Sequence, residues 1–188
     1  MSTTARPLHN PVPGQQSVVD YSTVFHYEVD TLKPADWNLL LGQFSDAVIQ
    51  QSAAFGALRW GAKKISNIVL YEHDEPVAAA QLAIVSMPLL GVGIAHCKFG
   101  PMWRRRGQPE RSKIYLEILK VMRAEYAVRS GLLLRLKPWE LPHANGQLGM
   151  LRQKAGFAVQ PHMPLYHTYI IDMSRSIEQL RAGSHSKW

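Results

Sequence analysis

Four arginines and one glycine stand within the eight residues RRRGQPER, from Arg104 to Arg111. A guanidinium grips phosphate or carboxylate through two parallel hydrogen bonds. A glycine lets backbone approach a ligand closely. The residues that follow, Ser112 to Ser130, have helical periodicity, and a helix that opens after such a loop presents free N–H groups and a positive dipole end. The spacing therefore predicts an anion-binding shelf, with Arg104, Arg106 and Gly107 as its phosphate-binding residues.

The elements that must position this shelf are legible around it. VGIAHCKF (92–99) reads as a strand entering the loop. Tyr115, Ile118, Leu119, Met122 and Tyr126 recur at i, i+3, i+4, i+7 and i+11, which predicts a helix with a core-facing stripe. Gly131 stands at a C′ position, and LLLRL (132–136) reads as a short buried strand. A helix of this length can act as a crossover, so the second strand is expected to pair in parallel with the first. The shelf would then sit on the connection between two parallel strands.

Upstream, VFHYEV (24–29) reads as a strand. LKPADWNLLLGQF predicts a helix that starts at Pro34 and ends near Ser45, with Trp37, Leu40, Leu41 and Phe44 on one face. A second helix follows, capped by Ser52, with Phe55 and Leu58 on its inner face. SNIVLYE, PVAAAQLAIVS and the 92–99 strand make an antiparallel meander, and the mostly apolar PVAAAQLAIVS is expected to be buried on both faces. A further helix is expected over Asn145–Ala155, stopped by Gly156, and a late strand over Leu165–Ile171. Ser176 and Gln179 have capping-box spacing, so a last helix starts near Ser174. The expected organisation is a disordered tail over 1–18, one domain over 19–173, and a helix over 174–188 leading into a second half that lies beyond the chain.

Bulk composition narrows the function classes. The chain has 188 residues, enough for one domain with its own core. A net charge of +7 suits an anionic partner or a solvated basic surface. One cysteine, Cys97, excludes a disulfide framework; it alternates to the opposite strand face from His96 and reads as a small core residue. The histidines lack H-E-x-x-H spacing, so no metal site is expected. No G-x-S-x-G and no P-loop pattern occurs, which disfavours a serine hydrolase and a P-loop NTPase. No apolar run approaches the length of a membrane span, and the expected location is cytoplasmic.

The order strand, basic glycine loop, helix, strand resembles the GNAT acyltransferases, whose loop R/Q-x-x-G-x-G/A holds the CoA pyrophosphate. Arg104-x-x-Gly107 matches its first two anchors, and Pro109 replaces the last. The chain also resembles the FemABX family of peptidoglycan bridge aminoacyltransferases, built from two GNAT-like halves. Asp36-Trp37, Gln51-Ser52, Gly100-Pro101, Leu134-Arg-Leu-x-Pro138, Gly156-Phe157 and Thr168…Ile171-Asp172 carry that likeness, in order, over about residues 24–188. It implies that a basic residue on the helix opened by Gln51-Ser52, here Arg59, meets nucleotide phosphates. It also implies that His96, before the Gly-Pro turn, faces the cleft. In residue terms alone, Arg59 is equally a solvated helix charge and His96 a strand histidine with local partners.

The fold implied is α/β, a mixed and mostly antiparallel sheet flanked by helices. The function implied is transfer of an acyl or aminoacyl group from acyl-CoA or aminoacyl-tRNA to an amine, a cell-wall precursor among the acceptors. No tightly bound cofactor is implied. The partner expected is an anionic nucleotide-linked substrate, with tRNA among the candidates and DNA not among them. Two other readings stay open: a single-domain acetyl-CoA N-acetyltransferase, and a non-catalytic binding module.

Overall fold

The computed structural model describes residues 25–87, 92–139, 145–160 and 174–183. Five strands form one sheet in the order β1 (Phe25–Val29), β2 (Ile65–Glu72), β3 (Glu75–Met87), β4 (Val92–Lys98), β5 (Leu133–Lys137). The first three pairings are antiparallel, and β4 with β5 is parallel. The parallel pair follows from the crossover helix α3 (Ser112–Met122), whose last turns, Arg123–Arg129, widen to π-helical bonding. The expected mixed sheet and the crossover are both present.

Alternation along the strands gives the sheet two apolar faces. One carries Ile68, Leu70, Ala78, Ala80, Leu82, Ala95 and Cys97 and packs against α3 and α4 (Asn145–Lys154). All five members of the predicted α3 stripe are buried there. The other face carries Val69 and Ala79 and packs against Trp37, Leu40, Leu41 and Phe44 of α1 (Pro34–Leu41) and its following turn. That helix stops at Leu41, short of Ser45, with hydrogen-bonded turns through Phe44.

Three expectations need correction. In α2 (Ala53–Trp60), Leu58 points outward and is 90% exposed; the inward position is Gly56. A Cβ there would stand 2.3 Å from the Gln81 side chain, so this helix approaches β3 through glycine and not through an apolar stripe. The second correction is β5, expected buried: Leu133 is 67% exposed and Leu134 and Leu136 are half-buried, because no described strand covers its outer edge. The third is β3, whose burial ends at Ala83; Val85 is 40% exposed. The Ser176–Gln179 capping box is present at the start of α5 (Ile177–Ala182). Contacts divide the chain into two units, 1–158 and 159–188. The expected tail over 1–18 and the expected strand over 165–171 lie outside the described residues.

Candidate functional site

The β3–β4 ladder is interrupted where β4 meets its loop. Leu82 pairs with Cys97, and pairing resumes at Ala79 with Met102, held by bonds of 2.9 and 2.8 Å. Two residues of β3 therefore face four of the β4 chain, Lys98 to Pro101. The Gln51 side chain fills the gap. Its amide donates to Gln81 O at 3.2 Å and Lys98 O at 2.7 Å, and its oxygen accepts from Gln81 N at 2.7 Å. One side-chain amide thus replaces a rung of the ladder. Trp37 Nε1 donates to Gln51 O at 2.8 Å, and a Cβ on Gly100 would touch Gln51 and Cys97 at 3.0 Å. Three of the dipeptides singled out in the sequence meet at this knot.

The knot also marks where two strands part. β4 stays paired with β5 through Lys98 and Lys137, with Phe99 N donating to Lys137 O at 2.6 Å. Beyond that point the β4 chain follows β3. The loop then runs beside the first half of β3 to the β2–β3 turn, where α3 starts. Asp46 anchors it, its carboxylate accepting from Trp103 N at 3.0 Å and Arg104 N at 3.2 Å. Burial pushes the Asp46 carboxyl upward, and those two amides act against the rise. Arg105 bonds Pro76 O and Glu75, and Arg111 holds Glu72 through both guanidinium nitrogens at 2.5 and 2.7 Å. Arg111 thereby lowers the Glu72 carboxyl.

A cavity of about 420 Å³ opens at the start of α3, lined by Trp103, Arg104, Glu110, Ser112 and the first turn of α4 at Gly146–Leu148. Arg104 faces Glu110 across it with 2.7 Å between Nε and Oε1, a charge contact off the N–H direction. The N-cap Arg111 makes no side-chain cap, and the first-turn amides of Ser112 and Lys113 have no acceptor among the described residues. Gly107 has φ +71° and nothing within 4 Å of its Cβ position, so its side of the loop is open. Arg106 does not line the cavity; its Nε donates to Gly42 O at 3.0 Å and its amide to Gln43 O.

His96 and Arg59 stand on the opposite side of the sheet. Cys97 packs with α3, so its neighbour His96 faces α2, where the Trp60 ring meets it edge-on at 6.2 Å. His96 is half-buried and its Nδ1 is out of solvent with no partner. Burial lowers its pKa first, then Arg135, Lys98 and Lys137; a backbone hydrogen bond at Arg135 opposes the fall. The ring is therefore a neutral base at pH 7. Arg59 is exposed and lies over the Trp60 ring at 5.3 Å. Cys97 is sealed in the core and its thiol is pushed up to about 12, so it is no nucleophile. Among the described residues no group of side chains could hold a metal ion. No described helix is long and apolar enough to cross a membrane.

This architecture, a mixed five-stranded sheet flanked by helices, is GNAT-like and is shared with solved acetyltransferases. A solved probable acetyltransferase superposes with a TM-score of 0.50 at 14% identity, over 78% of this chain and 99% of that one. An aminoglycoside acetyltransferase from an uncultured soil metagenomic sample, solved with trehalose, gives 0.50 at 11% identity, over 80% and 100%. At these identities the likeness is one of fold. No protein-family model matches the sequence, and comparison with curated proteins finds no match.

Proposed function

We propose that the chain is an N-acyltransferase that moves an acyl group from acyl-CoA to an amine. The observation that carries this is the open N-terminus of α3, facing a cavity in which Arg104 stands, on a fold shared with acetyltransferases. The free amides of Ser112 and Lys113 and the Arg104 guanidinium would take the donor's diphosphate, with Gly107, which lies outside the cavity lining, leaving the loop open beside them. The acyl chain would then follow the loop toward the point where β4 and β5 part.

His96 lies by that parting, on the sheet's other face. It would take the proton while the amine nitrogen bonds to the acyl carbon and the C–S bond breaks, releasing CoA as thiolate. Arg59, beside Trp60, flanks this acceptor side. A donor of this kind places the work in the cytoplasm. An aminoacyl-tRNA donor and a cell-wall amine form the second reading. The meeting of Trp37, Gln51 and Gly100 at one knot supports it, because these residues carry the FemABX likeness.

Glu110 supplies the test. Its carboxylate occupies Arg104 and repels a phosphate, so Glu110→Gln and Arg104→Ala should act in opposite directions. Arg104→Ala is expected to weaken acetyl-CoA binding about tenfold to a hundredfold, the weight of a charge-assisted hydrogen bond. Glu110→Gln is expected to tighten it. Titration calorimetry with acetyl-CoA reads both. No binding by the parent chain, or two variants that behave alike, would reject the cavity as donor site.

A further inference from the structure

We propose that the β4–β5 face around His96 is an anion-recognition subsite, and that the acceptor amine therefore carries a carboxylate or a phosphate. This rests on the transferase reading above, which supplies the acceptor. The parallel register sets Lys98 opposite Lys137 and His96 opposite Arg135. Residues two apart on a strand share a face, so three cations occupy two consecutive rungs on the side of α2. Like charges placed directly across strands destabilise a sheet.

Both lysine heads lie against one ring. Lys98 Nζ lies 5.3 Å and Lys137 Nζ 5.8 Å from the centre of one ring, Phe99, at the point where the strands part. Trp139 meets that ring edge-on at 5.6 Å and Trp60 walls the His96 side. Arg135 is exposed, and Lys98, Lys137 and His96 are half-buried, so the cluster is open to a ligand yet partly shielded from water. Shielding strengthens an ammonium–carboxylate or ammonium–phosphate contact. The fields of all three cations reach His96 and favour its neutral form. An anion held by them would set the rest of the acceptor beside the base. The cluster would grip the acceptor's charge; in the free chain its field also favours the neutral base, and a bound anion offsets part of that field.

Lys98→Gln, Lys137→Gln and Arg135→Gln remove charge while keeping much of the side-chain bulk. Acetyl-CoA is titrated first, alone. If it does not bind the parent, the donor reading fails and the anions are titrated on the free chain, so the two failures are separable. Inorganic phosphate and succinate are then titrated on the acetyl-CoA-saturated protein, against chloride at equal ionic strength. The expected result is that one of the two binds, that each variant weakens it about tenfold, and that acetyl-CoA affinity stays unchanged. Arg135→Gln, at an exposed position, keeps the test usable if a lysine variant fails to fold. Neither anion binding above chloride, or variants that bind like the parent, would overturn the subsite. Tight binding of a single-stranded RNA oligomer with no small anion held would overturn it too, in favour of a polynucleotide surface.

Discussion

Gln51→Ala is expected to cost about 3–6 kcal/mol, a large part of the roughly 5–15 kcal/mol that holds a typical domain folded. The side chain is 1% exposed and satisfies Gln81 N, Gln81 O and Lys98 O together. Alanine leaves all three backbone groups buried without partners, at about 1–3 kcal/mol each, less whatever water recovers. Gln51→Glu is the sharper variant, because it keeps the shape and exchanges the donor for an acceptor. An ionised carboxylate would face two carbonyl oxygens, so the introduced carboxyl would titrate above its unfolded value near 4.3. A group raised on folding contributes most below its unfolded pKa and loses that contribution as pH rises. A protonated carboxyl has one O–H for the two carbonyls, so the variant should lie below the parent at pH 4 and much further below it at pH 7. Urea melts of both chains at the two pH values measure the difference. A gap that stays constant with pH would mean that Gln51 does not bridge the ladder through its amide donor.

That residue also shows what a sequence discloses and what it withholds. The mixed sheet, the crossover and the α3 stripe were readable, because each rests on local periodicity: Tyr115 to Tyr126 repeat at helical spacing, and a helix between two strands implies parallel pairing. Ser52 as a cap was readable for the same local reason, and it accepts from Phe55 N. Gln51 was visible only as half of a dipeptide. Its partners lie 30 and 47 positions away, and nothing local marks a glutamine as a missing ladder rung. The outward turn of Leu58 was hidden likewise, since a glycine makes the contact that periodicity assigns to large apolar residues.

The basic loop was legible as charge and not as arrangement. Arg105 and Arg111 spend their charge on Glu75 and Glu72, acids far behind them in the chain, and Arg106 reaches Gly42. Arg104 is the loop arginine that lines the cavity. The signal missed was Asp46, a lone acid after a helix, which pins the loop by two amides. The cations beside His96 were missed as a group. Lys98, Arg135 and Lys137 come together only through the parallel register, which spacing along the chain does not encode.

His96→Gln is expected to lower kcat by about two to four orders of magnitude, the range for loss of a positioned general base, with acetyl-CoA affinity retained. The pH profile separates chemistry from mere damage. Burial and three cations hold the His96 pKa below its usual 6.5, so the working, neutral form persists through pH 7. The acid limb of kcat/KM should therefore fall below pH 6.5, and it should vanish in His96→Gln. The same depression makes the neutral ring a stabilising element above its unfolded pKa, lost as pH falls through the folded one. Arg135 is the largest of the three charge effects, after burial itself. Arg135→Gln should then move the acid limb upward toward 6.5, although this side chain need not touch the reacting atoms. A limb that does not move in Arg135→Gln, or one that survives in His96→Gln, would assign the proton to another group.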